Sequence, residues 1–62
     1  MVDLALADRA RDFQDLAACQ YKAVARLARQ GAEPETILDA QEQLSALAAE
    51  ALYNLLRLLE AA

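Results

Sequence analysis

The chain has 62 residues, 58% of them hydrophobic, and a formal net charge of −4. Sixteen residues are alanine and twelve leucine, against two valines, one isoleucine, one threonine and three aromatics, too few strand formers to build a sheet. Alanine and leucine lead the helix scale, so composition predicts an all-α protein of one small domain, near the lower size limit for a self-sufficient core.

The first predicted element is a helix over about residues 4–30. Projected at about 100° per residue, Leu6, Ala10, Phe13, Leu16, Ala17, Gln20, Val24 and Leu27 fall on one stripe, with Tyr21 and Ala28 at its margin. Asp8, Arg11, Asp12, Asp15, Lys22, Arg26 and Arg29 fall opposite, which makes an ordinary amphipathic helix. Gln20 interrupts the stripe; a polar residue there fixes register, lies at a gap in packing or bonds to a neighbouring backbone.

A turn over about 31–33 follows. The only glycine and the only proline lie within Gly31-Ala32-Glu33-Pro34. Glycine suits the left-handed position after a helix end, and proline suits the first turn of the next helix, where its missing N–H costs nothing. Arg26 and Arg29 before the break, with Glu33 and Glu35 after it, oppose the local helix dipoles in the stabilising sense. The next helix lacks an ideal cap, because neither position 32 nor 33 is Ser, Thr, Asp or Asn. A connection this short makes the neighbours antiparallel, so residues 1–62 read as a single αα-hairpin.

The second helix is predicted over about 34–60. Ile37, Ala40, Leu44, Leu47, Ala48, Ala51, Leu55 and Leu58 form a stripe that can face the first helix. Leu38, Leu52, Leu56 and Leu59 lie to one side of it. The whole apolar face covers about half the circumference, wider than the roughly 100° that one neighbour needs. Five leucines fall between Leu52 and Leu59, more than a single antiparallel helix covers. The surplus predicts a hairpin that completes a larger helical assembly, with Leu38, Leu52, Leu55, Leu56, Leu59 and the outward Tyr53 as the partner interface.

Charge narrows the partner. Residues 1–30 carry five bases and four acids, whereas 31–62 carry one base, Arg57, and six acids. The densest basic group, Lys22, Arg26 and Arg29, is accounted for by its helix's C-terminal dipole; neither nucleic acid nor an anionic membrane is an expected partner. No apolar run approaches the roughly 20 residues of a membrane span, and the N-terminus lacks the pattern of a secretory signal. Cys19 is alone, so no intramolecular disulfide forms and a reducing, cytoplasmic setting is expected.

Residues for chemistry are missing. There is no histidine, and one cysteine without histidine makes neither a zinc site nor a thiol-protease arrangement. Asp8 and Asp12 share a face but lack the Glu-x-x-His partners of di-metal bundles, and one glycine makes no phosphate loop. The expectation is a non-enzymatic protein without metal or cofactor.

The stretch Leu27-Ala28-Arg29-Gln30-Gly31-Ala32-Glu33-Pro34-Glu35, leading into a helix rich in Gln and Ala, resembles the small co-chaperones of type III secretion needle subunits. The resemblance spans residues 22–59 as a pattern and is specific around the turn. It implies a cytoplasmic bacterial hairpin that packs on a larger helical-repeat chaperone of the tetratricopeptide type, the pair keeping the needle subunit monomeric before export. It assigns no binding residue. Two other readings bury the same leucines: a homodimeric four-helix bundle, in the manner of small RNA-binding plasmid-control proteins, and a needle or inner-rod type subunit.

Overall fold

Asp3 opens the first helix. Its backbone is extended, and its carboxylate Oδ1 accepts the backbone N–H of Ala5 at 3.0 Å and of Leu6 at 3.3 Å. Two of the donors that a helix start leaves without partners are thereby satisfied. In this computed structural model, which describes residues 3–61, α1 runs Leu4–Arg29 and α2 runs Pro34–Ala61. The protein is all-α, two helices packed antiparallel on one another. Residues 1, 2 and 62 of the expected domain lie outside the described residues.

The turn is built from backbone bonds. Gly31 has φ +71°, its N–H donates to the Ala28 carbonyl at 3.2 Å, and the Ala32 N–H donates to Leu27 at 3.0 Å. This pair of bonds is the Schellman arrangement, and it satisfies carbonyls that the end of α1 would otherwise leave open. Leu27 and Ala32, the positions that usually close such a turn with an apolar contact, are both half-buried. Pro34 is the first residue of α2, and the Glu33 carbonyl already accepts the Ile37 N–H at 3.2 Å.

The seam between the helices is centred on small residues. Ala10, Ala40 and Ala51 are buried, and so is Asn54. Leu6, Phe13, Val24 and Leu27 on α1, and Ile37, Leu44, Leu47, Leu55 and Leu58 on α2, are half-buried along its margins. The expected α1 stripe is too wide by one leucine: Leu16 is 51% exposed. Ala48, placed on the α2 stripe by the wheel, is exposed as well. The physical reason is the alanine seam. Small side chains along the line of closest approach let the helices come near one another, and a narrow contact leaves residues about 80° away from that line in water.

The result is a rod of 48 × 14 × 11 Å with a Cα radius of gyration of 14.2 Å. A globular chain of this length has a radius near 10.6 Å. The surface of 4767 Å² also exceeds the roughly 4,000 Å² expected of a folded monomer of this mass. Among the described residues no large side chain is fully buried.

Candidate interaction surface

Gln20 fixes how the helices lie against each other. Its side-chain amide donates to the Ala40 carbonyl across the seam at 2.9 Å and reaches Gln43 Oε1 at 3.5 Å. Of the roles open to this residue, the structure displays the bond to neighbouring backbone. It also sets levels along the rod: Gln20 stands opposite Ala40, so Ala10 stands near Ala51 and the start of α1 near the end of α2.

Two flanks border the seam. Gln20 and Gln43 meet on one of them. At about 100° per residue, Leu38, Leu52, Leu56 and Leu59 lie on the other side of the α2 seam line, hence on the opposite flank. Their exposures are 56%, 56%, 49% and 71%. On α1 the same flank presents Ala7, Gln14, Ala18, Tyr21 and Ala25, mostly small residues, with Tyr21 exposed. Beyond this strip α1 carries Arg11, Lys22 and Arg29, and beyond the leucines α2 carries Glu35, Glu42 and Glu60, all exposed. The leucine flank is therefore an apolar band with a mostly basic edge along one helix, where Arg11 pairs with Asp8 at 3.2 Å and Asp15 stands before Lys22, and an acidic edge along the other.

The other two residues expected at an interface sit elsewhere. Leu55 is half-buried at the seam margin, shared between α1 and the flank. Tyr53 is 55% exposed on the outer side of α2. Its hydroxyl accepts from Arg57 Nη1 at 3.0 Å, and the guanidinium stands 5.8 Å from the ring centroid. The hydrogen bond to the Tyr53 hydroxyl raises the Arg57 pKa above its ordinary value.

Asn54 was not anticipated from the sequence. It is 5% exposed, and its amide donates to the Glu50 carbonyl one turn back at 2.7 Å. A polar side chain can be buried beside α1 because it bonds to its own helix. Cys19 is exposed. Among the described residues no pocket forms and no three potential metal ligands gather. No described helix is long and apolar enough to cross a membrane. Comparisons with protein families, curated proteins and solved structures find no match for this chain.

Chemically, this surface can exclude water from another apolar face and little else. Each leucine transferred from water into a packed contact contributes on the order of 1.5–3 kcal/mol. Four such leucines within one band are enough to hold a protein partner of moderate affinity, allowing for the cost of association.

Proposed function

We propose that this protein is a non-enzymatic interaction module whose leucine flank is buried by another protein. The observation that carries the reading is the set Leu38, Leu52, Leu56 and Leu59, four large apolar side chains about half exposed or more on one flank of a rod. Monomers seldom leave such a contiguous band uncovered. Within that reading the chain acts as a cytoplasmic co-chaperone of a type III secretion needle subunit. The support is the turn Gly31-Ala32-Glu33-Pro34 and the hairpin length, both similar to that family. Its partner is then a helical-repeat chaperone, and the complex holds the needle subunit monomeric until export. An apolar band on a rod suits such a partner, since a superhelix of repeats offers an extended concave surface.

Co-expression with the helical-repeat chaperone of a needle subunit, followed by co-purification, tests this. The wild-type chain is expected to be retained. The double variant Leu52→Asp, Leu56→Asp is expected to remain helical by circular dichroism and to lose binding by more than about 100-fold, since two charges would be buried unpaired. Retention of the double variant would overturn the proposed interface.

A further inference from the structure

We infer that, when no other protein holds it, the leucine flank is closed by the same flank of a second copy, with both turns at one end and α1 of each copy lying over α2 of the other. The inference rests on the reading of this flank as an interface and adds what covers it in the free state.

Area comes first. The hairpin exposes 4767 Å², about 800 Å² more than a folded monomer of its mass. That excess matches what one partner loses in a standard protein interface, about 800 Å². A second copy would remove it from both chains at once.

Shape comes second. With the turns together, levels along the two rods coincide. Leu38 of one copy then stands over Tyr21 and Ala25 of the other, and Leu52 and Leu56 stand over Ala7. Large side chains meet a strip of small ones, the complementarity that helix packing requires. The middle of each band, Ser45 and Ala49, meets Gln14 and Ala18, which are short or flexible.

Charge decides the direction. In this arrangement the basic edge of α1 runs along the acidic edge of the other copy's α2. The level set by Gln20 and Ala40 puts Lys22 within about one helical turn of Glu42 of the second copy and Arg29 within about one turn of Glu35, in reach of long side chains. Each pair occurs twice by symmetry. Turning one hairpin end for end places α1 over α1 and α2 over α2. Lys22 would then face Arg11, which already pairs with Asp8 at 3.2 Å, and Glu35 would face Glu60, so the edges would gain no new ion pair and the acidic one would oppose itself. Exposed pairs of this kind add little affinity, but they select between two otherwise similar packings. A protein partner competes for the same leucines, so the self-paired form is the resting state from which the partner draws the hairpin.

The experiment uses the full chain alone. Sedimentation equilibrium from low to high micromolar concentration is expected to show a monomer–dimer equilibrium. A spin label at Glu33→Cys, in a Cys19→Ser background, is expected to report an inter-label distance well under half the 48 Å rod length. A monomer at every concentration, or a dimer whose labels lie nearly a full rod length apart, would overturn the inference. Glu42→Lys is expected to raise the dissociation constant by roughly 3- to 10-fold through two symmetry-related surface pairs, and adding Lys22→Glu to restore it. Failure to restore would likewise reject the arrangement. A same-end dimer that binds no helical-repeat chaperone sinks the co-chaperone reading alone. A strict monomer that binds one through Leu52 and Leu56 sinks the self-pairing alone.

Discussion

The two ends of this rod solve different problems. At the turn end, Gly31 and Pro34 settle the chain direction by backbone geometry, and the last carbonyls of α1 find partners within the turn itself. At the open end no covalent link holds the helices together. Their contact there rests on Ala10, Ala51 and Asn54, while Leu52, Leu56 and Leu59 point into solvent. The turn end leaves one leucine of the band, Leu38, in solvent; the open end leaves three that α1 does not cover, beside Leu6, Phe13, Leu55 and Leu58, which it half buries. A chain under selection only to close its own hairpin would turn those three inward. On the proposed reading, three of the four leucines of the interface then lie along the open end of α2.

The largest effect on the hairpin itself is expected where the open end is tightest. Ala51 is 6% exposed and level with Ala10, which is 3% exposed. Ala51→Leu must force the helices apart, and the expected cost is about 1–3 kcal/mol, read from urea unfolding by circular dichroism. An unchanged midpoint would show the open end to be looser than its buried alanines require. At the turn end the expected effect is smaller. A Cβ at Gly31 meets nothing within 4 Å, so Gly31→Ala carries only the cost of the left-handed backbone at φ +71°. That cost is about 1 kcal/mol. A larger loss would mean that the turn does more than reverse the chain.

The same contrast explains what could be read from the sequence. The turn was legible because its chemistry is local: one glycine and one proline, each with a conformational reason for its place. The surplus of leucine on α2 was legible because periodicity counts side chains per face whatever covers them. The seam was harder. A helical wheel centres the contact on the largest apolar residues, whereas the observed line of closest approach runs through Ala40, Ala51 and Asn54. Leu16 was assigned inward for that reason and lies half exposed. Asn54 was unreadable because its burial depends on a bond to the Glu50 carbonyl, which periodicity does not display. Asp3 could have been found: an aspartate directly before an apolar-periodic run is a helix-start signal.

Asp3 gives the mildest test of the comparison. Its carboxylate accepts two backbone N–H groups in a solvent-exposed setting, at the end where no turn ties the chains together. Asp3→Ala is expected to cost about 0.5–1 kcal/mol. Where that loss appears matters more than its size. At the turn end a broken cap would be shared with α2 through the connection, and the whole hairpin would feel it. At the open end the first turn of α1 can fray while the seam from Ala10 onward stays closed. Amide exchange should therefore quicken at Ala5, Leu6 and Ala7 and stay unchanged near Gln20 and Val24. Uniform acceleration along α1 would mean instead that the open end closes cooperatively with the rest of the seam, and the division of the rod into a tied end and an open one would fail.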